Sequence, residues 1–221
     1  FEAERKFCEY GFRLAEIYKG STEDNLTVQV VNANIDGESL TAEEFGFFFF
    51  LLLLAGPETT YTALTNGMKL LIDHPDQLQM LIDNPKMIEQ AVEEILRYES
   101  PVTLFRRTAM KNIELGGKQI NAGDKVVFFY SGANHDEDVF DQPEKFDITR
   151  GSHMDLGREH RTFGTGEHFC LGAHMARMEL NVMFEQILPR MRNPRLAGER
   201  VRLRSRSVTT PLSMPILFDP A

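Results

Sequence analysis

One of the two cysteines of the chain, Cys170, stands in a glycine-rich stretch that runs directly into an apolar helical pattern. The stretch, residues 163–172, reads F-G-T-G-E-H-F-C-L-G. A thiol at a helix N-terminus is favoured as the thiolate, because the positive end of the helix dipole and the free N–H groups stabilise the negative charge. The two glycines before the cysteine permit a tight turn, and Gly172 leaves room for a flat group against the backbone. The alternative for a lone cysteine is an inert buried residue.

The same stretch resembles, at every fixed position, the haem-ligand loop of the cytochrome P-450 family, F-G-x-G-x-H-x-C-x-G. The resemblance implies that Cys170 binds the iron of haem b and favours cleavage of the O–O bond from that face. It also implies that Phe163, Gly164 and Gly172 bind the cofactor and that His168 contacts a haem propionate. The complete match favours this interpretation over an inert cysteine.

A second polar motif, A-G-P-E-T-T at residues 55–60, interrupts a long apolar pattern. Pro57 removes one helical N–H group and clashes with the carbonyl of Leu53, so a helix here should kink and leave a carbonyl free for water. Glu-Thr-Thr inside an apolar helix costs free energy unless its polar groups are satisfied. On these residues alone, a bent core helix whose hydroxyls bond back to the preceding turn is the simpler explanation.

This motif is similar to the oxygen-activation motif of the same family, A-G-x-[D/E]-T. The resemblance implies that Ala55 and Gly56 belong to the cofactor-binding residues. It further implies that Glu58 relays protons from solvent and that Thr59 holds the hydrogen bond through which those protons reach oxygen. We therefore expect Glu58 and Thr59 to be the catalytic pair.

Glu94 and Arg97 are three residues apart and share a helix face, a spacing that by itself indicates little more than a surface ion pair. In the family, the matching E-x-x-R pair locks with a later P-x-R-F segment and braces the cysteine loop. The matching segment here, residues 143–146, carries Lys145 where the family usually has arginine. Because lysine lacks the bidentate fork, either the lock is weaker or another group replaces it. Arg150 is the candidate.

Further candidates surround the cofactor and the substrate. By position in the family, Arg107 resembles the arginine that binds a haem propionate, as His168 resembles a second propionate partner. The candidate pocket residues are apolar enough for a hydrophobic substrate such as a terpenoid, a steroid or a fatty acid. They are Phe50, Leu54, Ala55, Val102, Leu104, Phe105, Val208 and Thr209.

A basic cluster lies near the end of the chain. Its arginines stand at positions 192, 195, 200, 202, 204 and 206. The alternation of Val201 and Leu203 with Arg202 and Arg204 indicates a strand with a solvated face. The alternative is a docking site for an acidic electron donor.

The elements that must position these residues are mainly helical, with small β-sheets. The resemblance implies the cytochrome P-450 fold, represented here by a long central helix, the cysteine-ligand loop and the following helix. A capping box at residues 41–44 should open the long helix, which should end before Pro75. The stripe of Leu171, Met175, Met178 and Val182 is interpreted as core packing. The other predicted helices cover residues 1–19, 76–83, 86–98 and 171–188, with a hairpin over 113–120, a strand over 125–130 and an irregular segment over 136–168.

Composition excludes several classes of protein. The 221 residues carry a net charge of −9, which argues against a nucleic-acid partner. Two cysteines make no disulfide framework, and a reducing cytoplasm is the simplest location. The first residues have neither the apolar core of a signal peptide nor a membrane anchor. The longest apolar run, from Phe45 to Ala55, is shorter than the about 20 residues that span a bilayer, so a buried helix is expected.

We therefore expect a haem-thiolate monooxygenase that inserts one atom of O₂ into a hydrophobic organic substrate, with electrons from a ferredoxin. Residues 1–221 are expected to be the C-terminal portion of a single domain, preceded in the native polypeptide by about 100–200 residues. Three alternatives stay open: a haem-binding sensor or carrier without turnover, a truncated or haem-free fragment that serves as an interaction module, and a peroxide-using variant of the same fold.

Overall fold

The computed structural model describes residues 2–220. Their helices are α1 (Glu2–Tyr18), α2 (Leu26–Val31), α3 (Ala42–Asp73), α4 (Pro75–Asp83), α5 (Ile88–Tyr98), α6 (Tyr130–Ala133), α7 (Leu156–Glu159) and α8 (Ala173–Ile187). Short 3₁₀ turns occupy Pro85–Met87, Arg150–Ser152, Gly166–His168 and Leu188–Arg190. The strands are β1 (Leu104–Thr108), β2 (Ile113–Leu115), β3 (Lys118–Ile120), β4 (Lys125–Phe129), β5 (Met191–Leu196), β6 (Val201–Arg202), β7 (Pro211–Ser213) and β8 (Ile216–Pro220).

Within the described range, the strands pair as antiparallel two-stranded sheets: β1 with β4, β2 with β3, β5 with β8, and β6 with β7. The prediction of a mainly helical protein with small sheets is confirmed. The predicted hairpin is also confirmed, since β2 and β3 are joined by Gly116 and Gly117, both with positive φ. Residues with a side chain rarely adopt positive φ, so glycine suits both positions of the turn.

The chain divides into two compact units, residues 1–58 and 59–221. The boundary falls inside α3, between Glu58 and Thr59. This helix starts from the predicted capping box: the amide of Thr41 donates to Glu44 Oε2 at 2.8 Å, and the amide of Glu44 donates to Thr41 Oγ1 at 3.2 Å. It runs through Pro57 and ends at Asp73, as predicted.

In the first unit, α1 packs closely on the start of α3. A Cβ added to Gly11 would lie 2.8 Å from the Cα of Gly46, so the two backbones approach where neither residue has a side chain. Ala15, Val31 and Phe45 are buried beside this crossing. The first half of α3 is nevertheless not the buried helix that the sequence predicts.

The leucines of residues 51–54 are between 37% and 55% exposed. The reason is that α1 contacts α3 around Phe45, Gly46 and Phe49, which leaves the other sides of the apolar run without cover from the first unit. By length and composition α3 is able to cross a membrane, although core helices of soluble proteins pass the same test. The apolar run of residues 45–55 does not by itself indicate a helix of this length, because the helix continues to Asp73.

The core of the second unit lies between the second half of α3, α5 and α8. A Cβ at Gly67 would meet the ring of Phe184 at 2.8 Å and the side chain of Ile95 at 2.9 Å, so this glycine permits the close approach of three helices. Leu71 and Leu180 are buried in the same cluster. This core supports α8, which follows the cysteine loop, and α5, whose Leu96 carbonyl accepts from Thr162 just before the loop.

The methionine stripe of α8 corrects a second prediction. Leu171, Met175, Met178 and Val182 are 49–76% exposed, not packed in the core. The helix begins at Ala173 and buries the opposite face, with Ala173, Leu180 and Phe184. Periodicity shows that two faces of a helix differ, but the neighbours decide which face is covered.

Candidate functional site

The stretch of residues 163–172 forms a closed loop in front of α8. The amide of Cys170 donates to the carbonyl of Phe163 at 2.9 Å, and the amide of Ala173 donates to the carbonyl of Cys170 at 3.3 Å. Gly164 and Gly166 both have φ of 73°, a region that L side chains rarely adopt. The two glycines thus make the turn that returns the chain to Phe163. Cys170 is exposed at the end of this loop.

The surroundings of Cys170 fit a flat apolar group. A Cβ added to Gly172 would meet no atom within 4 Å, so the space in front of the backbone is open. Phe169 and Leu171 flank the cysteine and are 48% and 76% exposed. A soft sulfur donor, open space beside a glycine and flanking apolar side chains match the requirements of a thiolate-ligated haem.

The two expected propionate partners lie on different elements of the second unit. Arg107 is exposed on β1, and its guanidinium carbon is 5.7 Å from the ring centroid of Phe128. Within residues 2–220, no carboxylate lies within ion-pair distance of Arg107. His168 closes the 3₁₀ turn before Cys170. The guanidinium of Arg107 and the ring N–H of His168 are groups that can bind a carboxylate. Their roles towards a haem propionate stay predictions.

Tyr130 connects β1 with the cysteine loop, a link that the sequence analysis missed. Its ring packs edge-on against Phe105 of β1, with the ring centroids 6.0 Å apart. Its hydroxyl lies 3.5 Å from the position that a Cβ of Gly164 would occupy. No sequence motif marks this tyrosine, because the contact joins residues far apart in the chain.

Glu94 and Arg97 form a fully buried ion pair on α5. Arg97 donates to both carboxylate oxygens of Glu94, each at 2.8 Å. Arg97 also donates to the carbonyls of Asn134 at 2.7 Å and Pro143 at 3.0 Å. This pair is therefore the buried anchor of the irregular segment that follows β4, not a surface contact.

Arg150 takes the position in this lock that Lys145 leaves open. Its Nε lies 3.2 Å from Glu94 Oε2, and its Nη1 donates to the carbonyl of Asp141 at 2.6 Å. The ammonium of Lys145 instead points to the surface and pairs with Asp147 at 2.9 Å. The Lys145 backbone carbonyl accepts hydrogen bonds from both Arg97 and Arg150. The guanidinium that Lys145 cannot offer to Glu94 is thus supplied by Arg150, farther along the chain.

A second network, of Glu93, His160 and Arg177, holds the start of the cysteine loop. Glu93 Oε1 accepts from Arg177 Nε at 2.6 Å, and its Oε2 lies 2.9 Å from His160 Nε2. Burial raises the pKa of Glu93, but the hydrogen bonds and charges of His160 and Arg177 outweigh burial and lower that pKa to about 2. The Arg177 guanidinium also lies 4.5 Å from the ring centroid of Phe163. Sequence reasoning missed this network because its members are far apart in the chain.

The catalytic pair predicted from the sequence lies on α3. Ala55, Gly56 and Glu58 belong to the first unit, and a Cβ at Gly56 would meet no atom within 4 Å. Thr59 begins the second unit. The functions predicted for these residues stay predictions.

Part of the predicted pocket lining comes together in the second unit. Val102 and Val208 form an isolated β-bridge, and the amide of Thr209 donates to the carbonyl of Pro101 at 2.9 Å. The side chain of Asn66, on α3, donates to Thr209 Oγ1 at 3.1 Å. The segment that carries Val208 is therefore fixed against both the segment after α5 and the helix that begins this unit.

Three of the six arginines of the basic cluster form ion pairs within the protein. Arg195 pairs with Asp219 at 3.3 Å, and Arg200 pairs with Glu99 at 3.3 Å. Arg202 also contacts Glu99. These contacts favour the interpretation of a strand region with paired and solvated arginines. Only Val201 and Arg202 are in strand β6, so the predicted alternation extends over a shorter strand than expected.

Comparison with known proteins adds independent evidence. The profile of the family described as Cytochrome P450 matches residues 15–193. A steroid C26-monooxygenase of Rhodococcus jostii (strain RHA1) is 42% identical over 203 residues, which are 92% of this chain and 42% of the relative. A methyl-branched lipid omega-hydroxylase of Mycobacterium bovis (strain ATCC BAA-935 / AF2122/97) is 39% identical over 211 residues, covering 95% of this chain and 48% of the relative.

Among solved structures, CYP109E1 from Bacillus megaterium in complex with corticosterone superposes with a TM-score of 0.88 at 30% identity. The match covers 98% of this chain and 58% of that structure. The chain spans about half the length of the curated relatives it matches, between 42% and 48%. The likeness over nearly the whole chain confirms the predicted fold.

Proposed function

This chain belongs to the cytochrome P450 family, and from that premise we propose that it is part of a haem-thiolate monooxygenase that hydroxylates the end of a branched hydrophobic chain. The observation that carries the proposal is the loop that closes through the Cys170 amide and the Phe163 carbonyl. This loop leaves an exposed thiol beside the open space at Gly172.

The residues of the chain have separable roles in this proposal. Cys170, as the thiolate, would hold the iron of haem b, and Phe163, Gly164 and Gly172 would contact the cofactor. Arg107 and His168 would bind the propionates through charge-assisted hydrogen bonds. When bound, the haem supplies the reductive activation of O₂, in which one oxygen atom enters a C–H bond of the substrate and the other leaves as water.

Proton delivery is the task proposed for α3. Glu58 would take protons from solvent, and the hydroxyl of Thr59 would pass them to the oxygen that is being reduced. Ala55 and Gly56, one turn earlier, would border the cofactor, as the resemblance of the A-G-P-E-T-T motif implies. An acid next to an alcohol suits this work, because the acid exchanges protons with water and the alcohol both donates and accepts.

The substrate class is proposed from two lines of support. The relatives named above act, by their names, on a steroid at C26 and on methyl-branched lipids at the omega end. The segment 102–105 of this chain offers Val102, Leu104 and Phe105, and the bridge to Val208 adds a branched aliphatic residue. Apolar side chains of this kind suit a hydrophobic substrate chain. A ferredoxin-type protein in the bacterial cytoplasm is the proposed electron donor.

The test uses the purified haem-loaded protein with a ferredoxin, its reductase and two candidate substrates. These are a sterol with a saturated branched side chain and a methyl-branched fatty acid, with the unbranched fatty acid of equal length as control. We expect a thiolate-type spectrum of the reduced carbon-monoxide complex, and mass spectrometry should place the new hydroxyl on a terminal methyl of the branched chain. Absence of the thiolate-type spectrum would refute the enzyme class. Hydroxylation only of ring carbons or of the unbranched chain would refute the substrate class.

A further inference from the structure

Asn134 is a fully buried side chain whose hydrogen-bonding groups are all engaged. Its Nδ2 donates to Ser100 Oγ at 2.8 Å and to Thr162 Oγ1 at 2.9 Å. Its Oδ1 accepts the amide of Arg161 at 2.6 Å. An amide has two donors and a carbonyl acceptor, so this site uses both sides of the side chain.

The Arg161 N–H, which can only donate, fixes the orientation of that amide together with the neighbouring hydroxyls. Thr162 Oγ1 donates to the carbonyl of Leu96 at 2.7 Å, and Ser100 Oγ donates to the same carbonyl at 3.1 Å. The two hydroxyl oxygens also lie 3.0 Å apart, where either can donate to the other, and each accepts from Asn134 Nδ2. The asparagine must turn its NH₂ to the hydroxyls and its oxygen to Arg161, since the reverse arrangement would leave donors facing donors.

This arrangement bears on the cysteine loop through the backbone. Arg161 and Thr162 immediately precede Phe163, whose carbonyl accepts the amide of Cys170. The turn between Phe163 and Cys170 contains glycines with positive φ and cannot be held by their side chains. The backbone carbonyl of Asn134 also accepts from Arg97, so the residue joins the buried lock of α5 to the base of the loop.

We propose that Asn134 is a positioning residue that sets where the Cys170 sulfur stands, an inference that rests on the proposed role of Cys170 as the haem ligand. Without its amide, the Arg161 N–H and the two hydroxyls lose buried partners, and the segment before Phe163 can shift. The carbonyl that orients the Cys170 amide shifts with it. Groups of this kind behind a metal ligand typically change metal affinity or activity by about 10–100-fold when they are removed.

Asn66 provides a matched control, because it is equally buried in the same unit and its amide is also fully bonded. Its Nδ2 donates to the carbonyl of Glu99 at 3.2 Å and to Thr209 Oγ1 at 3.1 Å, and its Oδ1 accepts from Arg200. None of these groups belongs to the cysteine loop. Asn66→Ala should thus lose stability for the same reason as Asn134→Ala, but without moving Phe163.

The experiment compares the haem-loaded protein with Asn134→Ala and Asn66→Ala in two measurements. The first is the thermal unfolding midpoint, and the second is the fraction of the reduced carbon-monoxide complex with thiolate-type absorption, recorded well below each midpoint. We expect both variants to unfold at lower temperature. Only Asn134→Ala should also lose most of the thiolate-type fraction and bind haem more weakly, by roughly tenfold or more.

A thiolate-type fraction equal to the parent's in Asn134→Ala, or an equal loss in Asn66→Ala, would overturn the inference while leaving the proposed function intact. A parent protein without thiolate-type absorption would overturn the proposed function and this inference together. If Asn134→Ala does not fold, Thr162→Val replaces it, since this near-isosteric change removes one partner of the amide. The thiolate-type fraction should then fall, and a fraction equal to the parent's would refute the positioning role.

Discussion

The backbone amide of Cys170 donates to the carbonyl of Phe163 at 2.9 Å, which closes the loop that carries the exposed thiol. Phe163 is itself held by the Arg177 guanidinium, 4.5 Å from its ring centroid. The position of the thiol thus depends on residues of α8 and of the segment before the loop as well as on the turn.

Cys170→Ser should abolish thiolate-type absorption of the reduced carbon-monoxide complex, because a serine hydroxyl is far less acidic than a thiol and is a harder donor. Cys8→Ser is the control, since Cys8 is buried in α1 of the first unit. It should leave the spectrum as in the parent. An unchanged spectrum in Cys170→Ser would remove the ligand assignment.

Thr59→Ala should retain haem and substrate binding but divert electrons to peroxide, because the proposed hydroxyl passes protons and does not hold the cofactor. Product formed per electron donor consumed should fall by about tenfold or more, with a matching rise in peroxide. Thr65→Ala is a control on the same helix, where the hydroxyl bonds back to the carbonyl of Tyr61 at 2.8 Å. Equal coupling in Thr59→Ala and Thr65→Ala would show that protons take another route.

Arg150→Ala should lower the free energy of unfolding by about 3 kcal/mol, since it removes a nearly buried partner of the fully buried Glu94. Lys145→Ala should change it by less than about 1 kcal/mol, because the lysine ammonium is exposed and its pair with Asp147 is weak. Urea denaturation of both variants measures the difference. A larger loss for Lys145→Ala would mean that Lys145, not Arg150, completes the lock.

Glu93 should make the stability of the protein depend on acid pH. Its pKa is lowered from 4.5 to about 2, so its contribution is complete above pH 4.5 and is lost as the pH falls towards 2. A shift of this size corresponds to about 3 kcal/mol. The difference in unfolding free energy between the parent and Glu93→Gln should therefore narrow over that interval. Glu89 is exposed on the same helix, so Glu89→Gln is the control, and its unfolding free energy should differ little from the parent's. If the difference in unfolding free energy between the parent and Glu93→Gln does not change with pH, the lowered pKa of Glu93 is wrong.

Gly172→Ala should fill space that the cofactor needs, whereas Gly164→Ala should strain the backbone of the loop. Gly172 has φ of −86° and open space where a Cβ would stand, so alanine should change haem-free stability by less than about 1 kcal/mol while weakening haem binding. Gly164 has φ of 73°, and alanine there should cost about 1–2 kcal/mol even without haem. Haem titration and thermal unfolding of both variants provide the comparison. Unchanged haem affinity in Gly172→Ala would place the cofactor elsewhere.

Local features of the chain are readable from the sequence because they depend on neighbouring residues. The capping box at Thr41 and Glu44 fixes the start of α3, and the paired glycines at 116 and 117 fix a two-residue turn. The glycines before Cys170 likewise predict the turn that the structure shows, since their φ values are disfavoured for other residues. The three-residue spacing of Glu94 and Arg97 likewise predicts that the two side chains meet on one helix face, as the structure shows.

Tertiary structure alone decides which distant groups meet and which faces are covered. The sequence identifies that Lys145 lacks the guanidinium fork, but the path of the irregular segment brings Arg150 to Glu94. The same holds for Asn134, which meets Arg161 and Thr162 only because the segment after β4 returns to the end of α5. The exposed stripe of α8 has the periodicity of a core face, and burial depends on what packs against it. Periodicity is a property of one element, whereas contact and burial are properties of the assembled chain.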